Sequence, residues 1–134
     1  MEVTANAVQT VAAGEHVIFT ETPVKCPCGR VTNREDSGLL TIRGGASYKC
    51  TFGANIAVPE GGTAGAISLA LAIGGEPLPT STMIQTPAAV SEFANVSRSI
   101  NICVPQGCCY TLSVQNTSGV PVDVQNANLI IERA

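Results

Sequence analysis

Residues 46–58 read ASYKCTFGANIAV, and their alternation restricts the fold more than any other feature of the chain. Tyr48, Cys50, Phe52, Ala54 and Ile56 fall on one face of an extended segment, and Ser47, Lys49, Thr51, Gly53 and Asn55 on the other. A helix would spread those five apolar residues around its circumference, whereas a strand gathers them on one side. The same period of two recurs. EHVIFTET alternates around Val17 and Phe19, and GLLTIRGG pairs Leu40 with Ile42. GAISLALAIGGEPL sets Ile67, Leu69, Leu71 and Ile73 against Ala66, Ser68, Ala70 and Ala72, and its Gly74–Gly75 predicts a tight hairpin turn. VDVQNANLIIERA closes the chain. No window of a dozen residues keeps a helical period without a Gly or Pro break. The pattern predicts roughly eight to ten short strands separated by turns, hence an all-β sandwich, most simply a jelly roll. One domain accounts for residues 1–134, with the first few residues set apart as a flexible or exchanging arm.

Charged residues make up 13% of the chain, about half of the usual share, and there is no tryptophan. With three Phe and two Tyr, the core has to come from Val, Ile, Leu and Ala. So little charge leaves a surface that wants either Ser, Thr, Asn and Gln cover or protein partners, and partners are expected. The net charge is −3 and the seven basic residues are scattered, which argues against nucleic-acid binding. The longest apolar run, AGAISLALAIGG, is too short to span a bilayer, so no membrane insertion is expected. The first residues have neither the basic nor the apolar region of a secretory signal, which implies synthesis in a cytoplasm with reduced thiols.

SINICVPQGCCYTLSV carries three of the six cysteines. Reading Pro105–Gly107 as a three-residue hairpin loop sets Val104 opposite Cys108, Cys103 opposite Cys109, and Ile102 opposite Tyr110. One face is then Ile100, Ile102, Val104, Cys108, Tyr110, Leu112 and Val114, and the other is almost wholly polar. On this register Cys108 is a buried thiol, as is Cys50. Cys103 and Cys109 share the polar face, either as free thiols, the simpler reading, or as a cross-strand disulfide that would close a tiny loop and stabilise little. A zinc site from Cys26, Cys28, Cys103 and Cys109 is a weaker alternative. The C-x-C pair in KCPCGR departs from the usual ligand spacing of structural zinc, and no metal or cofactor is expected.

Catalytic patterns are equally thin. His16 is the single histidine, and no cysteine is placed near it by the sequence. Gly61–Ala66, GGTAGA, precedes a strand and not a helix, so it cannot cradle phosphate as a helix N-terminus does. Arg30, Arg34, Glu35 and Asp36 read as a solvated loop. The chain is expected to be no enzyme.

Several stretches resemble the tumour necrosis factor-like superfamily, which includes the globular heads of complement and collagen-tailed proteins. EHVIFTET is similar to its early strand pair, SGLLTIRGGASYKCTFGANIAV to its G-x-[FL]-T-[IV]…G-x-Y-x-[VF] segment, INICVPQGCCYTLSVQN to its G-[DC] hairpin, and ANLIIERA to its last strand. TFGANIAVP, GAISLALA, NVS and VQNANLIIER resemble phrases of small phage and prophage proteins of gut Firmicutes, whose relatives also cap collagen-like spore filaments. The resemblance implies a jelly roll that packs as a homotrimer about a three-fold axis. It implies a non-enzymatic structural protein of a bacteriophage virion, as a capsid decoration or a head or tail fibre, with capsid or tail proteins as partners. The alternatives are a trimeric module recognising a host-surface glycan or protein, through loops such as Cys26–Asp36 and Glu76–Val90, and a bacterial spore or cell-surface protein. No Gly-X-Y stalk accompanies the head.

Overall fold

The computed structural model describes residues 1–25, 30–33 and 36–133. Its strands are β1 (Glu2–Ala5), β2 (Gln9–Val11), β3 (Glu21–Val24), β4 (Val31–Asn33), β5 (Leu40–Arg43), β6 (Ala46–Ala57), β7 (Ile67–Ile73), β8 (Glu76–Pro77), β9 (Met83–Gln85), β10 (Ala94–Val104), β11 (Cys109–Asn116) and β12 (Val122–Arg133). A 3-10 turn, Pro79–Ser81, separates β8 from β9. The first sheet runs β10-β6-β12-β1-β3, with β2 also on β12; the second runs β4-β5-β11-β7-β8, with β9 also on β7. All named pairings are antiparallel.

The two sheets stack as a jelly-roll sandwich, and the period-two residues fill the layer between them. From the first sheet come Tyr48, Cys50, Phe52, Ala54 and Ile56 with Val122, Val124, Leu129 and Ile131, all buried. From the second come Leu40, Ile42, Ile67, Leu69, Leu71, Leu112 and Val114. Phe19 meets Phe52 edge to face, with centroids 6.5 Å apart and planes at 75°. Among the described residues the strands number twelve, above the roughly eight to ten read from the sequence, because edges are broken into short pieces. β8 and β9 are one interrupted edge along β7. Where they part, the Ser81 hydroxyl takes over the ladder: it accepts from Leu71 N–H at 2.9 Å and donates to Leu78 O at 2.7 Å. Gly74 and Gly75, at φ 61° and 84°, close the β7–β8 hairpin, a pair of angles that L-residues with a Cβ resist.

Two sequence expectations change here, and one narrows. The first residues are no free arm. β1 lies between β12 and β3, and the terminal ammonium of Met1 donates to Ile131 O at 2.9 Å. The small residues on the other side of β7, which suit close packing against either another sheet or a second subunit, are covered within the protomer: Ala70 and Ala72, opposite Gln115 and Ser113, are fully buried. And β10 and β11 form no hairpin. β10 pairs with β6 in the first sheet, and β11 with β5 and β7 in the second. Pro105–Cys108 therefore crosses between the layers. It runs beside the other crossover at this end, Gly44–Gly45. A Cβ on Gly44 would stand 2.0 Å from Pro105 O and 2.6 Å from Cys108 O, so only glycine lets the two backbones pass.

Candidate interaction surfaces

The crossover decides the cysteine geometry. Strands facing each other across a sandwich both point their apolar residues into the shared layer, so Ile102, Val104, Leu112 and Val114 are buried as alternation requires. Cys108, however, sits in the turn beyond the end of the layer, its N–H donating to Pro105 O at 3.1 Å, and its thiol is exposed rather than buried. Cys103 and Cys109 belong to different sheets, opposite Ser47 and Arg43 respectively; both are exposed, free thiols, and no bridge joins them. Cys50 is enclosed by the core, and burial pushes its thiol up from 9.0 to about 12. Cys26 and Cys28 lie outside the described residues, as do Arg34 and Glu35. Among the described residues, no group of three or more His, Cys, Asp or Glu side chains is placed to hold a metal.

His16 is half-buried. It bridges to Gln115 at the margin of the second sheet, where Val17 N–H donates to Val114 O at 2.8 Å. It lines a small depression of about 140 Å³ with Gly14, Leu39, Gly75, Ser113 and Gln115. Gln115 Nε2 donates to Gly14 O at 3.2 Å, and its enclosed Oε1 has no partner among the described residues. No cysteine lines this depression among the described residues, so a Cys–His pair has no geometry here.

Among the described residues three polar side chains are buried, Ser81, Ser113 and Asn116, and the sequence reading singled out none of them. Asn116 is 1% exposed at the end of β11. Its Nδ2 donates to Val11 O and Val120 O, both at 2.9 Å, and its Oδ1 accepts from the Ser118 N–H at 3.0 Å and from the Ser118 hydroxyl. The amide is fully used, tying the β11–β12 turn to β2. The signal for it was weak, since an Asn ending a strand reads as an ordinary turn residue.

The outer faces of the two sheets differ. On the first, Thr51, Gly53, Asn55, Gln125, Asn128 and Ile130 cover the centre of the β6–β12 pair, uncharged and mostly small. Thr51 shares a hydrogen bond of 3.0 Å with Ser99, and Asn95 donates to Asn55 at 3.1 Å. Exposed apolar residues gather at the margins. Val8 and Ile18 flank a groove of about 200 Å³ beside β1, and Val120 with Pro59 and Pro121 lines another of about 390 Å³ at the opposite end from the cysteine turn. On the second sheet, Thr32, Thr41 and Thr111 stand in line across β4, β5 and β11. With Asn33, Ser37 and Leu39 they line a trough of about 390 Å³.

The fold has solved counterparts along nearly its whole length. The globular domain of zebrafish complement 1qA protein is 15% identical, with 96% of this chain and 93% of that chain covered and a TM-score of 0.68. The Eiger TNF structure from S. frugiperda is 13% identical, with 100% and 92% covered and a TM-score of 0.74. No family model matches the chain, and no curated protein matches it in sequence. The sandwich is thus that of the complement and tumour necrosis factor heads, shared at the level of fold.

Proposed function

We propose that this chain is a non-enzymatic module that assembles as a homotrimer through the outer face of its first sheet. The observation that carries the reading is that face's composition: uncharged and mostly small side chains at the centre of the β6–β12 pair, with charge held to its ends at Lys49, Glu132 and Asp123, and half-buried Ile130 opposite Thr51 and Glu2. Small residues let a second backbone approach closely, and the carboxylate beside the centre, Glu2, already accepts from Asn128 Nδ2 at 3.2 Å, which lessens its loss on desolvation. The exposed apolar residues at its margin, Val8, Ile18 and Val24, add area that water does not favour. The match in fold to the complement and tumour necrosis factor heads supports the same arrangement.

Within that class, we place the trimer in a bacteriophage virion, as a capsid decoration or fibre head bound to capsid or tail protein. The support is the resemblance of TFGANIAVP, GAISLALA and VQNANLIIER to small phage and prophage proteins. Light scattering at micromolar concentration tests the assembly. A trimer is expected, and Thr51→Arg, which puts a cation at the centre of the face, should give folded monomers. A monodisperse wild-type monomer refutes the reading. Antibody labelling of purified particles tests the location, and unlabelled virions would remove it.

A second reading, a recognition module, is favoured by one observation: the trough on the other sheet, whose described lining is rich in hydroxyls and uncharged and which trimer packing through the first sheet leaves open.

A further inference from the structure

We infer that the trough over β4, β5 and β11 is a binding site for a neutral carbohydrate. The inference rests on the recognition reading and does not need the virion location. Thr32, Thr41 and Thr111 occupy directly paired positions on three neighbouring strands, so their hydroxyls form a row roughly 10 Å long, two strand spacings. None of the three hydroxyls bonds to protein among the described residues. Asn33 closes one side. Its Nδ2 is committed to Thr22 Oγ1 at 2.8 Å, which fixes the amide and leaves Oδ1 as an acceptor. Ser37 closes the other: its Oγ accepts from Leu39 N–H at 3.1 Å, which leaves its proton to donate. Leu39, 45% exposed, supplies an apolar edge.

The ligand class follows from this inventory. Each hydroxyl both donates and accepts, which matches sugar hydroxyls that do the same. An anion would want a cation, and a cation would want a carboxylate or an aromatic face; the described lining residues offer none of these. An apolar ligand would leave the hydroxyl row unpaired. A sugar ring uses both features, pairing its hydroxyls with the threonines and laying its C–H side on Leu39. At about 390 Å³ the trough falls within the range of small-ligand sites. Its groups are also pre-set. Threonine has few rotamers on a strand, and Asn33 and Ser37 are already held, so little side-chain freedom is lost on binding.

The test is an array of neutral and charged saccharides, followed by a 1H–15N NMR titration with the best-retained neutral sugar. Amide shifts are expected at Thr32, Asn33, Ser37, Leu39, Thr41 and Thr111. Thr41→Val removes the central hydroxyl while keeping shape and strand preference, and should weaken binding about fivefold, the worth of one net hydrogen bond. Light scattering on the same variant should still give the wild-type oligomer, which separates failure of the site from failure of the assembly. Retention of charged saccharides alone, shifts mapping elsewhere, or unchanged affinity of Thr41→Val each overturn the assignment. If no saccharide of any kind is retained, the carbohydrate assignment falls, while absence of binding to host cells as well would remove the recognition reading.

Discussion

Asn116→Asp is the sharpest probe of this fold because it keeps the side chain's shape while changing its hydrogen-bonding capacity and its charge. In the wild-type protein the Asn116 amide gives a proton to each of two carbonyls, Val11 O and Val120 O, at 2.9 Å. An ionised aspartate presents an oxygen to both. Two acceptors lose this donor at about 1–3 kcal/mol each, and a charge is left in a site where the native side chain is 1% exposed. Together these should cost about 3–5 kcal/mol at neutral pH, a large part of the stability of a domain of this size. The fold disfavours the charged form, so the folded-state pKa of this aspartate lies above its unfolded value of about 3.9. The sign follows. The charge-dependent part of the loss is absent below about pH 3.9, grows by about 1.4 kcal/mol per pH unit as pH rises, and levels off above the folded pKa. A protonated carboxyl still has one proton for two carbonyls, so part of the deficit persists in acid. Urea unfolding at fixed protein concentration, from pH 3.5 to pH 8, measures this. A midpoint shift of about 2 M at pH 7 that shrinks in acid is expected. Wild-type stability at pH 7, or a loss independent of pH, would refute the account of Asn116 as a fully used donor.

Two further predictions concern the end of the sandwich where the crossovers meet. Gly44→Ala should cost about 3 kcal/mol or more, since its Cβ would stand 2.0 Å from a backbone oxygen, whereas Gly45→Ala, with open space but φ 82°, should cost only about 1 kcal/mol. Equal losses in thermal melts would show that the two chains do not pass as closely as described. In thiol labelling with a disulfide reagent at pH 8, Cys103, Cys108 and Cys109 should react in the folded protein and Cys50 only after denaturation, as mapped by peptide mass. Because the Cys50 thiol is raised from 9.0 to about 12, the unfolded chain ionises first, and folding should lose stability as pH climbs from 9.0 towards 12. A Cys50→Ser variant with the same alkaline profile would contradict that.

Much of the fold was legible because alternation is a local property. The inward residues of β5, β6 and β7 follow from the pleat alone, whatever those strands pair with, whereas in β12 a bulge around Asn126, at φ 52°, shifts the phase from Val122 and Val124 to Leu129 and Ile131. The hairpin read into SINICVPQGCCYTLSV shows where that logic stops. Paired neighbours in one sheet and facing strands of two sheets generate the same apolar and polar alternation, since both turn their apolar sides to one core. Only tertiary structure distinguishes them, and it moved Cys108 from core to turn and separated Cys103 from Cys109. The same holds for Asn116, whose four partners come from β2 and from the β11–β12 turn, and for the threonine row, drawn from three strands 32, 41 and 111 residues into the chain. The sequence by itself determined which way side chains point along the regular strands β5, β6 and β7, because that depends on the backbone of a single segment, but not where the bulge in β12 reverses the alternation. Which strands lie side by side, and hence which thiols, amides and hydroxyls meet, was decided only by the folded sandwich, because those contacts join residues far apart in the chain.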